Sequence, residues 1–462
     1  MLSTHGIRFV LSIFLARLLT PAEFGLIGMA LVFVNLSQIF VDIGFGAALI
    51  QRKEADDLTY SSVFYYNLVV GLLLMVLFWF LAPMIGSFYE NTEITTLVRY
   101  LAIGLPINAV TLVQVTILSR EMRFKELSLR TFIAGIISGI IGVVMALTGF
   151  GVMALVVQYL LSSAISAIVI WNVSNWRPQW RFSWTSLREI SAFSRYIFFG
   201  KSLDSITRQL DTLLVGKLFS ASTLGFYSRA QSLNQFVIVY TSGSINKVFF
   251  PVLSQLQDQP ELFKKVYLRT ISSLALLTFF LSGIMIFSGE AIIVILFGEK
   301  WLPSVVIFQI LALRIFNYPI NAVIVKTFLA LGKADENFGH GLVRTGIKMS
   351  TLIVGYYFGF DWFLYSMIIT SYIGTLYNNA IVTRVINISF WQQVKEIYQY
   401  LLVLLIAAIP AAYLYLEIDI VFLRAVASVG VFSILYGVIT YLLNPESSKW
   451  IYQQIKTVLK LK

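Results

Sequence analysis

Ala16-Arg-Leu-Leu-Thr-Pro-Ala-Glu-Phe-Gly-Leu-Ile-Gly-Met-Ala30 returns two hundred residues later as Gly216-Lys-Leu-Phe-Ser-Ala-Ser-Thr-Leu-Gly-Phe-Tyr-Ser-Arg-Ala230. Arg17 falls on Lys217, Thr20 on Ser220 and Gly25 on Gly225. Pro106-Ile-Asn-Ala-Val110 recurs letter for letter as Pro319-Ile-Asn-Ala-Val323, and Arg130-Thr131 recurs as Arg344-Thr345. The offset drifts from 200 to 214, as a few short insertions would produce. A repeat this long is a whole multi-helix unit copied once. Membrane transporters use such pairs to build a site between the copies and rock them around it.

Composition agrees with a membrane chain. It is 58% hydrophobic and 12% charged, with mean hydropathy +0.82, against roughly 25% charged residues in soluble domains. The absence of cysteine excludes disulfides, thiolate metal sites and a cysteine nucleophile. Apolar segments fall at 1–19, 24–48, 61–86, 96–117, 129–148, 151–171, 196–217, 222–250, 268–286, 303–330, 341–359, 361–385, 399–416 and 419–443. Most reach the roughly 20 residues a helix needs to cross the hydrocarbon core. They are too long and too weakly alternating for barrel strands. The expected fold is therefore all-α and polytopic with about fourteen transmembrane helices.

The loops set the orientation. Alternate connections together with the tail hold 17 Lys and Arg, and the remaining connections hold one, Lys300. Both termini are then expected in the cytoplasm. The net charge of +11 becomes a basic collar facing anionic lipids, and no nucleic-acid partner is implied. Residues 1–19 lack a charged leader and a small-residue cleavage site, so they read as the first span rather than a signal peptide. The expected organisation is an N-lobe over 1–172 (spans 1–6), a cytoplasmic interfacial linker over 173–195, and a C-lobe over 196–390 (spans 7–12). Spans 13 and 14 with a basic tail follow over 391–462. Trp176, Trp180 and Trp184 with Arg177, Arg181 and Arg188 suit the linker to the headgroup zone.

Span seven carries Lys201, Asp204, Arg208 and Asp211 at intervals of three, four and three, all on one helical face. Charges in a membrane cost several kcal/mol, so this stripe must face protein or water. It is either a ladder of ion pairs gluing the halves or the polar wall of a cavity holding an anion. At the offset of 200, Arg208 lands on Arg8, while Lys201, Asp204 and Asp211 land on Met1, Thr4 and Leu11. Both arginines lie about 17 Å from the outer end of their helix, near mid-depth. Their guanidinium forks suit a diphosphate or carboxylate.

Span ten adds Arg314 and Lys326 to the candidate anion-binding set, with Asn317 and Asn321 between them. Asp42 is a candidate for an ion pair or for proton coupling. Arg17 and Lys217 close the outer ends of spans one and seven as a candidate outer gate. Pro106 and Pro319 are expected kinks in spans four and ten. No nucleotide, metalloprotease or dinucleotide motif is present, and His5 and His340 are too few for a histidine metal site. The longest outer connection is taken as 287–302, whose charges are Glu290, Glu299 and Lys300.

With these residues in view, the chain resembles the polysaccharide flippases of the MOP superfamily, closest to the bacterial colanic-acid and lipopolysaccharide (Wzx-type) exporters. Leu15-Ala-Arg-Leu-Leu-Thr-Pro-Ala-Glu-Phe-Gly25 and Val41-Asp-Ile-Gly-Phe-Gly-Ala-Ala-Leu-Ile-Gln-Arg52 carry the resemblance, supported by Phe297-Gly-Glu-Lys-Trp301. The resemblance implies two pseudo-symmetric six-helix lobes around a cationic cavity, MATE-like, plus two C-terminal helices. It implies an undecaprenyl-diphosphate-linked oligosaccharide as substrate, translocated across the bacterial inner membrane by alternating access. Polysaccharide polymerase and assembly proteins are the partners such a role implies. No cofactor is implied, and the coupling ion would be H+ or Na+. A multidrug or cation antiporter of the same superfamily is the alternative, though it would favour an acidic cavity. A polysaccharide polymerase or other membrane glycosyltransferase would need a larger outer loop bearing catalytic groups.

Overall fold

A computed structural model describes residues 2–52 and 56–443; the side chains of Arg8 and Asp204, Lys53 and the basic tail 444–462 lie outside the described residues. The described residues form helices and no strand. In chain order these are α1 (Leu2–Leu18), α2 (Pro21–Val41), α3 (Phe45–Gln51), α4 (Asp57–Phe88), α5 (Thr92–Ala102), α6 (Gly104–Ala109), α7 (Leu112–Arg120), α8 (Phe124–Leu147) and α9 (Met153–Val173). They continue as α10 (Trp184–Leu218), α11 (Ala221–Gln255), α12 (Pro260–Phe297), α13 (Pro303–Ala312), α14 (Asn317–Ala330), α15 (Ala334–Phe358), α16 (Phe360–Ile386), α17 (Phe390–Glu417) and α18 (Val421–Leu443). Each apolar segment read from the sequence coincides with a helix or a broken helix. Among the described residues, eight helices are long and apolar enough to cross a membrane on that ground alone. A ninth counts if the pair bent by 42° at 110–111 is one span. The rest, α10 among them, are too polar or too short. The protein is an all-α, multi-pass membrane protein.

Three segments differ from their expected limits. The second span is not continuous over 24–48. It stops at Val41, where Asp42 N still donates to Gln38 O and Gly44 takes a left-handed φ of 94° that restarts the chain as α3. Residues 287–302 are mostly not a loop, because α12 runs on to Phe297 and turns at Gly298 (φ 93°). The linker is helical from Trp184, leaving 174–183 as its extended part. That part is tied to the start of α4: Gln179 N donates to Ser61 Oγ and Ser183 N to Ser62 Oγ, both at 2.9 Å.

The chain divides into two compact units, 1–228 and 229–462. This division by packing differs from the repeat, because α10 and the first turns of α11 belong to the first unit. In that unit α10 packs on α2, α3 and α4, while α1 lies along α8 and α8 along α9. Leu187 and Ile190 of α10 join Phe45, Leu49, Phe64 and Val113 in one buried cluster. In the second unit α12 packs against both α17 and α18, and α15 against α16. Phe279 stacks on Phe316 at 4.9 Å within its core.

Lipid is as apolar as leucine, so helices in a bilayer associate through close packing rather than hydrophobic burial. Among the glycines of the first unit that are described, the repeat supplies the closest approach. A β-carbon at Gly25 would fall 1.7 Å from Ala221 O, and one at Gly225 would fall 1.8 Å from Pro21 O. The starts of α2 and α11 thus touch backbone to backbone, each copy's glycine against the other copy's first helical residue. Thr20 caps α2 in a capping box with Glu23, whose Oε2 accepts from Thr20 N at 2.6 Å. Ser220 does the same work for α11, accepting from Thr223 N at 3.0 Å.

Candidate functional site

The break between α2 and α3 positions Asp42. Its Oδ1 accepts from Gly46 N–H at 3.0 Å, capping α3, and its Oδ2 lies 3.4 Å from Lys201 Nζ on α10. Two residues placed in separate roles from the sequence are thereby partners. Arg208 is exposed further along α10, and Asp211 is buried at 4%. Both make interactions with other groups. Arg8 lies in α1 and Asp204 in α10, but their side chains lie outside the described residues.

At the far end of α10, Lys217 Nζ lies 2.7 Å from Glu90 Oε1 and 5.4 Å from the Phe88 ring. Glu90 occupies the turn between α4 and α5 with a φ of 55°. Lys217 borders a 170 Å³ cavity with Met29, Tyr89, Asn91, Gly216 and Ala221, next to the glycine contact. Arg17 is exposed in the last turn of α1. The hydrogen bond from Lys217, and then its charge, hold the Glu90 carboxyl below its ordinary 4.5. A carboxyl lowered in the folded state stabilises above its unfolded pKa and loses that contribution as pH falls through the folded value. Glu90→Gln should therefore lower thermal stability slightly at neutral pH and flatten the acid limb, the two proteins converging below about pH 4.5. Melting of the purified protein from pH 3 to 7 would check this.

In the second unit, Arg314 sits in the break between α13 and α14. It is 9% exposed, with Nη1 3.4 Å from Met367 Sδ. Lys326 Nζ lies 5.7 Å from the Phe250 ring. Pro319 falls in the first turn of α14, directly after that break, and Pro106 falls in the first turn of α6. Each lies where a missing N–H costs least, so the chain breaks beside the proline rather than on it. The freed Val110 carbonyl accepts from Trp171 Nε1 at 3.0 Å.

A polar track on α16 was not foreseen. Met367, Ser371, Thr375 and Asn378 share one face and meet α14. Asn317 Nδ2 donates to Ser371 Oγ at 2.8 Å, and Asn317 Oδ1 accepts from Thr375 Oγ1 at 2.9 Å and from Asn321 Nδ2 at 2.6 Å. Asn378 Nδ2 donates to Asn321 Oδ1, and Asn378 Oδ1 accepts from Arg344 Nη1 at 3.3 Å. The repeat marked Arg344, and the four-residue spacing of His340, Arg344 and Lys348 puts all three on one face of α15. Outside the track, Glu290 of α12 holds Arg424 of α18 at 2.6 Å and Tyr415 of α17 at 2.9 Å. It therefore anchors the last two helices rather than lying in solvent. Among the described residues, no group of three acidic, histidine or cysteine side chains is arranged for a metal.

A family model described as "Polysaccharide biosynthesis protein" matches residues 14–306, more than half of the chain. The chain belongs to the polysaccharide biosynthesis protein family. Among curated relatives it is 28% identical over 309 residues to the teichuronic acid biosynthesis protein TuaB of Bacillus subtilis, covering 65% of this chain and 63% of that one. It is 23% identical over 357 residues to the lipopolysaccharide biosynthesis protein WzxC of Escherichia coli, covering 76% and 72%. Against TuaB the chain therefore spans less than two thirds of its relative's length. Among solved structures, the lipid II flippase MurJ in an inward closed conformation superposes with a TM-score of 0.76 at 16% identity, covering 96% of this chain and 98% of that one. At that identity the likeness is one of fold. It supports, for this family member, the MOP-type architecture that the resemblance implied.

Proposed function

We propose that the protein is a flippase. It moves undecaprenyl-diphosphate-linked oligosaccharide units across the bacterial inner membrane for export of a surface polysaccharide. The observation that carries the reading is Arg208, a guanidinium exposed about 15 Å before the end of α10, at 1.5 Å per residue, in a membrane protein of a polysaccharide biosynthesis family. Such a charge must face protein or water rather than lipid, and the repeat gives it a mate in Arg8. In this reading the two arginines, with Lys201, Arg314 and Lys326, hold the diphosphate while the lipid tail stays in the bilayer. The lobes 1–172 and 196–390 alternate around the substrate, and both termini are cytoplasmic. Asp42, paired with Lys201, is the carboxylate placed to exchange that cation for a coupling H+ or Na+. Binding that differs between the two states supplies the direction.

The test is reconstitution. Vesicles containing the protein and a fluorescent undecaprenyl-diphosphate oligosaccharide should expose the glycan to an external glycosidase faster than protein-free vesicles. Equal rates in the two preparations would reject the reading.

A further inference from the structure

The polar track ends on a cation whose described partners are all neutral. Arg344 lies about 15 Å from the start of α15 at 1.5 Å per residue and is partly buried. Its Nη2 donates to Asn337 O at 3.3 Å and Asn337 Oδ1 at 3.1 Å, and its Nη1 to Asn378 Oδ1 at 3.3 Å. Among the described residues no carboxylate touches it. A guanidinium has five N–H donors, so part of its fork has no described acceptor. A charge held away from bulk water with no counter-charge is costly.

The surroundings hold this cation in place instead of neutralising it. From Ser371 to Arg344, each amide of the track donates its N–H to the residue before it and turns its oxygen to the residue after it. Ser371, Asn317, Asn321 and Asn378 thus lock the Asn378 oxygen towards Arg344. One turn before Arg344, His340 Nδ1 lies 2.9 Å from Tyr377 OH, and one turn after it comes Lys348 on the same face. The repeat adds an independent mark. Arg344-Thr345 copies Arg130-Thr131, and Arg130 lies on α8, which packs along α1, the helix of Arg8.

We propose that Arg344 is a further binding residue for the diphosphate of the lipid-linked substrate, with Asn378 as its positioning residue. This rests on the flippase reading. It adds α15 and α16 to the substrate path and gives the second repeat copy a phosphate contact that the charged stripe of α10 does not supply. An anion of two phosphates fits because a held guanidinium can donate two parallel N–H bonds to phosphate oxygens in bidentate fashion.

The experiment uses the full-length protein in detergent, with farnesyl diphosphate as the lipid-diphosphate probe and inorganic pyrophosphate as the free-anion probe, read by tryptophan fluorescence. Arg344→Gln should weaken farnesyl diphosphate binding by about tenfold or more, and Arg344→Lys should recover part of it. Asn378→Asp is the discriminating variant, since it sets a carboxylate against Arg344. It should raise the melting temperature and weaken the probe, whereas a purely structural arginine would gain stability with binding unchanged. If the wild-type protein binds the probe and both Arg344→Gln and Asn378→Asp bind it equally well, the assignment of Arg344 is wrong and the flippase reading stands. If the wild-type protein shows no saturable binding, both fall together. Pyrophosphate binding as tightly as farnesyl diphosphate would overturn the lipid-linked source.

Discussion

Gly25→Ala and Gly225→Ala are each expected to destabilise the protein by about 3 kcal/mol and to abolish export, with the two effects nearly equal. The obstacle is backbone, not a side chain that can swing aside. A new β-carbon at either glycine would sit 1.7 or 1.8 Å from a carbonyl oxygen of the opposite helix. The starts of α2 and α11 must then separate. Because both glycines serve one contact, the second substitution should add little once the first has parted the helices, so the double variant falls well short of the sum. Thermal melting of the two single variants and the double variant in detergent measures this directly. Additive losses would mean two separate contacts and would reject the reciprocal geometry.

Neutralising Arg8 and Arg208 together, each to Gln, should reduce surface polysaccharide to background at normal protein levels. A charge-assisted hydrogen bond contributes about 1.5–3 kcal/mol, so each single variant should lose roughly tenfold or more in transport rate. Arg208→Lys should keep more activity than Arg208→Gln, because charge survives and only the fork is lost. Immunoblots of the membrane fraction alongside polysaccharide staining separate lost transport from lost protein. Wild-type output from the double variant would remove these arginines from the substrate path.

Much of the fold was legible because hydrophobic length is a local signal. Every apolar run became a helix, and the repeated Thr20 and Ser220 became caps. Breaks were harder to read because they depend on single dihedrals. Gly44 ends one helix and starts another inside an unbroken apolar run, whereas Gly298 lets a helix outlast the expected loop. Site residues divided along the same line. The spacing of Lys201 to Asp211 showed a charged face, but only tertiary structure brings Lys201 to Asp42 across 159 positions. Arg314 stood out as a candidate anion-binding cation, but its neighbour Met367 comes from a helix that no local spacing identifies. Arg344 was visible in the repeat and Asn337 lies two turns before it on α15, yet Asn378 comes from α16 and is held by Asn321 of α14. No spacing rule joins Asn321 and Asn378 to Arg344.

The reciprocal glycine contact also has a genetic consequence. In a homodimer built from one six-span chain, the same meeting of helices would repeat by symmetry and depend on a single codon. Duplication within one chain gave each side its own codon while leaving the contact shared. Pro21 now stands where its copy has Ala221, and Glu23 where its copy has Thr223, so the surroundings have drifted apart. Gly25 and Gly225 remain identical, and neither copy can compensate for the loss of the other. One physical contact therefore presents two independent targets for inactivating mutation. A screen for lost export should recover substitutions at Gly25 and Gly225 at similar frequency.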